Sequence, residues 1–206
     1  QWLDRAIVLG FAVLAGLAVV GFTLLADAAF EWFEALRGAA WWAPLIWTPT
    51  MTALVVWAVR RWSPAAAGSG VPQVMCALAP EVPATSRGRF VSLKLSAAKV
   101  LGVSGGLLAG LSIGRQGPSV QVAAGVMHHA RRYLSPQTAI TERELLVAGG
   151  AAGIAAAFNT PLGGIVFAIE ELSRRLTERS SGLMLAAIVI GGLVAVSAFG
   201  NLSTFG

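Results

Sequence analysis

Four stretches of this chain, residues 6–26, 38–59, 145–169 and 180–206, contain no Asp, Glu, Lys or Arg. Each is at or above the roughly 20 residues that a helix needs to cross a hydrocarbon core. Four such runs in 206 residues leave little chain with which to build a wetted surface. Only 12% of the residues are charged, whereas a soluble domain carries roughly a quarter. With 56% hydrophobic residues and a mean hydropathy of +0.72, the expected solvent is lipid, crossed several times.

The remaining charge is basic overall, +5, with a pI near 10.7. It is gathered between the apolar runs, at Arg60 and Arg61, across residues 87–94, at Arg131 and Arg132, and across residues 174–179. That is the arrangement of cytoplasmic loops under the positive-inside rule. It is not a nucleic-acid footprint, because no RNA-binding motif or interleaved aromatic run accompanies the charges. Cys76 is the single cysteine, which excludes an internal disulfide and a cysteine-based metal site, and it reads as a small buried residue. No separate leader pattern stands ahead of the first apolar run.

Residues 2–36 suit one long tilted helix with Asp27, Glu31 and Glu34 near its far end. Residues 42–62 suit a second, bounded by Trp41 and Trp42 at one end and by Arg60, Arg61 and Trp62 at the other, an interfacial pattern. The two read as a membrane hairpin over residues 1–62, with Trp2 and Arg5 on the cytoplasmic side. From residue 63 to 206 the apolar segments shorten, and glycines punctuate them at 68, 70, 102, 105, 106, 110, 114 and 117. Helices are expected over residues 71–78, 90–110, 118–133, 142–158, 161–172 and 183–199, several of them stopping inside the membrane. A helix that starts in a low-dielectric interior presents unpaired N–H groups and a positive partial charge, an anion site that needs no full cation.

Three motifs mark such starts. The first is Gly68-Ser69-Gly70-Val71-Pro72, where the glycines allow close approach and Pro72 suits a first helical turn. Ser69 reads either as an N-cap or as a hydroxyl facing an ion. The second, Gly114-Arg115-Gln116-Gly117-Pro118-Ser119-Val120-Gln121, would turn the N–H groups of Arg115, Gln116 and Gly117 into one concavity. The third runs from Gly149, Gly150 and Gly153 through Phe158 and Pro161 to Glu170 and Glu171. Its small residues read as helix-packing contacts. Its glutamates read either as solvated beside Arg174 and Arg175 or as proton carriers.

In this order the three motifs resemble the signatures of the CLC family of chloride channels and chloride/proton antiporters, which read G-S-G-I-P, G-R-E-G-P-x-V-Q and G-x-x-A-G-x-x-A-x-F-x-x-P-x-x-G-x-x-F-x-x-E-E. The likeness is dense over residues 68–172. It implies an all-α integral membrane fold built from inverted repeats, of which this chain is the first, N-terminal half with broken, re-entrant helices. It also implies a homodimer with one chloride pathway per subunit and no cofactor, metal or nucleic acid. By position, the resemblance gives Ser69 a hydroxyl contact to the central anion, with Gly68 and Gly70 lining the inner site. It gives the outer site to the amides of Arg115, Gln116 and Gly117, the gating position to Gln116, and inner proton transfer to Glu171.

Two departures stand out. The family's gating glutamate is Gln116 here, which cannot ionise, and the family's second half, with its own anion-facing helix and a tyrosine hydroxyl, has no counterpart in these residues. Tyr133, the one tyrosine, falls at a helix end. The implied function is chloride transport without proton coupling. The alternatives are a coupled antiporter with glutamate natively at 116 and a half that does not transport without its partner half. Ser69 resembles chloride-selective members, whereas nitrate-handling relatives tend to carry proline there. A bacterial inner membrane is the expected location. The rival outside the family, a membrane serine hydrolase, would need Ser69 as nucleophile with His128 or His129 as base.

Overall fold

The computed structural model describes residues 2–172 and 181–200, and all regular structure among them is helical. Two long helices, α1 (Trp2–Ala39) and α2 (Ala43–Trp62), lead into shorter ones: α3 (Val71–Leu78), α4 (Ala84–Arg87), α5 (Leu93–Leu108), α6 (Gln116–His129), α7 (Glu142–Ala157), α8 (Pro161–Phe167) and α9 (Ser181–Phe199). Three-residue 3₁₀ turns precede α3 and follow α6, and one π-helical segment, Ala168–Leu172, continues α8.

Among the described residues only Trp2–Ala39 and Gly182–Phe199 are both long and apolar enough to cross a membrane. The expected number of full spans is therefore reduced by breaks. The uncharged run over residues 145–169 splits between α7 and α8, where Asn159 takes a left-handed φ of 54° and Pro161 cannot continue the preceding helix. Thr160 then caps α8, accepting from Gly163 N at 3.3 Å. α2 has the length of a span but carries Thr48, Thr50, Thr52 and Pro49.

The core forms around α6 and α7. Ten successive residues of α6, Pro118 to Met127, are buried, as are twelve of α7 from Leu145 to Ala156. Burial on all sides requires small contact residues, and Gly149 and Gly153 provide them. A Cβ on Gly149 would lie 2.8 Å from the Ala123 carbonyl oxygen, and one on Gly153 would lie 2.6 Å from that of Ser119. α9 closes on α7 at Gly191, and α1 closes on α9 at Gly16. α1 enters this core through the stripe Val8, Ala12, Ala15, Val19, Phe22 and Ala26. Gly153→Leu is expected to destabilise the fold by about 3 kcal/mol, because backbone cannot yield as a side chain can. Thermal unfolding in detergent measures this against Gly10→Leu, at a position with nothing within 4 Å.

One end of the bundle gathers the charges. Asp4 accepts from Ser135 N at 3.0 Å, Glu142 pairs with His128 at 2.5 Å and with Arg87 at 3.2 Å, and Arg143 donates to the Leu78 carbonyl at 3.0 Å. The α1 start, the α4 region and the α6–α7 corner therefore share a face, which also carries the basic clusters at 87–94 and 131–132. The cluster at 174–179 lies outside the described residues. Tyr133 sits at the same end, its ring centroid 5.6 Å from that of Phe11 and 5.8 Å from that of His129.

Cys76 departs from expectation, because it is exposed. α3 buries only one face, Val74, Ala77 and Leu78, and an eight-residue helix with one packed stripe turns Met75 and Cys76 away from it.

Candidate anion site at two helix breaks

The two glycine breaks, 46 positions apart from Gly68 to Gly114, come together in space. A Cβ on Gly70 would lie 2.5 Å from the Gly117 carbonyl oxygen, and one on Gly117 would lie 2.7 Å from the Ser69 carbonyl oxygen and strike the Ser69 hydroxyl. Only two glycines let these backbones touch. The N-termini of α3 and α6 thereby meet, and their partial positive charges add at one place.

Each start is built by its own sequence. At α3 the N-cap is Gly70, with φ at 111°, and not Ser69. Gln73 reaches back to this turn, accepting from Gly70 N at 2.9 Å and donating to the Ala67 carbonyl at 2.6 Å. The Gly70 N–H is thus committed to Gln73, while Ser69 is exposed and its hydroxyl lies against Gly117. At α6 helix begins at Gln116, two residues before the position that Pro118 suggested. Arg115 is the N-cap residue without a side-chain cap, and its carbonyl accepts from both Ser119 N, at 3.0 Å, and Ser119 Oγ, at 2.9 Å. Gln116 and Gly117 occupy the first turn, where N–H groups have no intrahelical acceptor. Gln116 is half-buried, and its Oε1 folds back to 3.2 Å from where a Cβ on Gly114 would be.

Behind the Gly68 turn stands a residue that the motif reading did not single out. Lys99 of α5 is 2% exposed, and its Nζ donates to the Gly68 carbonyl at 2.8 Å. A buried ammonium is costly, and inside a membrane protein it marks a functional site by default. The signal available in the sequence was a lysine in the middle of an apolar segment, Ala97, Ala98, Lys99, Val100, Leu101.

Other predicted residues lie elsewhere. His128 and His129 end α6, roughly 16 Å along the helix from Gly117, and His128 is held by Glu142. Neither ring approaches Ser69, so the hydrolase pairing does not form. Glu170 and Glu171 fall in the π-helical segment after α8, and the Glu171 side chain lies outside the described residues.

This geometry has relatives. The H(+)/Cl(-) exchange transporter ClcA of Vibrio vulnificus is 30% identical over 190 residues, which is 89% of this chain and 39% of that protein. That of Cronobacter sakazakii is 37% identical over 171 residues, 78% of this chain and 34% of that protein. The chain thus spans about two-fifths of the length of the curated relatives that it matches. In fold it is similar to a slow cyanobacterial Cl-/H+ antiporter solved by X-ray crystallography, with a TM-score of 0.82 at 23% identity, over 97% of this chain and 48% of that one. The profile described as voltage gated chloride channel matches residues 51–206, and with these relatives it establishes that the chain belongs to the voltage gated chloride channel family, the CLC family.

Proposed function

We propose that the protein containing this chain moves chloride across a bacterial inner membrane through the site where α3 and α6 begin, without coupled proton transport. The observation that carries this reading is the contact of Ser69 and Gly70 with Gly117, which concentrates two helix starts, the hydroxyl of an exposed serine and the buried Lys99 ammonium at one place. Such a site attracts an anion mostly through backbone dipoles, so the anion binds without being trapped. α6 rises only about 21 Å and α3 about 12 Å, less than a hydrocarbon core of roughly 30 Å. With the C-terminal end of α6 at the charged cytoplasmic face, its start lies within the bilayer.

Ser69 and the Gly68 turn form the inner side, and the Arg115, Gln116 and Gly117 backbone forms the outer side. Glu171 is the inner proton donor in a glutamate form of the gate. Residues 1–62 serve as the leading hairpin and 63–206 as the anion-site and dimer-side helices. A second repeat completes the pathway over the exposed Gly68 and Ser69, and two such subunits associate. The names of the relatives favour a second reading, a coupled exchanger, which the Gln116→Glu comparison below separates from the first.

Bromide soaked into crystals of the full-length protein is expected to give an anomalous peak beside the Ser69 hydroxyl and the Gly117 amide. Peaks confined to the arginines of the charged face would refute the site.

A further inference from the structure

Arg115 has a backbone that opens α6 and a side chain that leaves the site. Its guanidinium pairs through Nη1 with the Asp27 carboxylate of α1, and the same nitrogen lies 3.4 Å from the Thr23 carbonyl oxygen. Asp27 is 88 positions away and belongs to none of the anion-site motifs. It lies roughly 35 Å along α1 from Asp4 at the charged face.

With side-chain exposures of 32% and 50%, this ion pair contributes little to stability. What it fixes is the location of a full positive charge. Arg115 immediately precedes the two first-turn residues of α6, so a guanidinium released on its flexible stem would sweep across the mouth of the site. A transported anion has to bind firmly enough to enter and weakly enough to leave. Helix dipoles give a moderate well, and a mobile full cation beside them would deepen it.

We infer that Asp27 is a positioning residue for anion transport: it tethers and neutralises the Arg115 guanidinium on α1, which keeps the α6 start a weak, rapidly exchanging anion site. The inference rests on the proposed chloride function. The test uses the full-length protein in liposomes, with chloride as the probe, and measures the half-saturating concentration and the maximal rate separately. Asp27→Asn is expected to lower both, each on the order of three- to tenfold, because an unneutralised cation deepens the well by a short-range Coulomb term. Asp27→Glu is expected to keep the parent values. In an Arg115→Gln background, Asp27→Asn is expected to change half-saturation by less than about twofold relative to Arg115→Gln alone, since no cation is left to release. Asp27→Ser gives the same tightening should the asparagine variant not fold. A lower thermal midpoint with unchanged half-saturation would assign Asp27 a merely structural role and overturn the inference. So would a shift that persists in the Arg115→Gln background. Chloride flux in the parent with Asp27-independent affinity sinks this inference alone, whereas absence of flux in the parent sinks the chloride reading and this inference with it.

Discussion

Under an imposed chloride gradient, liposomes carrying the full-length protein are expected to pass chloride without moving protons, and liposomes carrying Gln116→Glu are expected to pump protons uphill. This is the largest change expected from one substitution, because it switches a coupled flux from absent to stoichiometric. A gate that couples two ions must alternate between an anionic state that occupies the outer site and a neutral state that leaves it. Gln116 stands in the first turn of α6, among the partial charges that would favour an anionic side chain there. Its carboxamide does not ionise in the accessible pH range, so it has the shape of the neutral state and never reaches the other. With Glu171 in its proposed role, protons that it delivers would find no titratable acceptor at 116. Recording chloride and external pH together checks this, and uphill proton movement by the Gln116 protein would show that a different group carries the proton.

The second large effect is expected at Lys99. Lys99→Met keeps the length of the side chain and removes the buried ammonium behind the Gly68 turn. Chloride affinity is expected to fall on the order of tenfold to a hundredfold, since a full charge within several ångströms of a partly dehydrated anion is worth far more there than in water. Stability is expected to move the other way or not at all. Replacing a buried charged group with an apolar one of similar volume recovers its desolvation cost, here at the loss of a single hydrogen bond to the Gly68 carbonyl. Isothermal titration with bromide, together with thermal unfolding in detergent, separates the two effects. A variant that unfolds early and binds anions normally would make Lys99 a structural strut for the turn and nothing more.

The sequence by itself determined where several of the helices are broken. Gly68, Gly70, Gly114, Gly117, Pro72 and Pro161 act locally, by freeing φ or by removing a backbone donor, so α3 over Val71–Leu78 and the break between α7 and α8 were legible without any tertiary contact. The packing role of Gly149 and Gly153 was legible for the same reason, because only a missing side chain admits a neighbouring backbone so closely. Three ordered motifs were enough to reach the family. Tertiary structure alone decided which side chains meet. The pairs Gly70 with Gly117, Lys99 with the Gly68 carbonyl, and Arg115 with Asp27 join elements far apart in the chain, and His128 with Glu142 joins two neighbouring helices. α7 beyond Glu144, and α9, carry no charged residue and no polar stripe, so the sequence does not say which face turns inward or toward which neighbour. The exposure of Cys76 has the same origin: it depends on how one short helix is rotated against its neighbours, and that rotation is fixed by packing between distant segments.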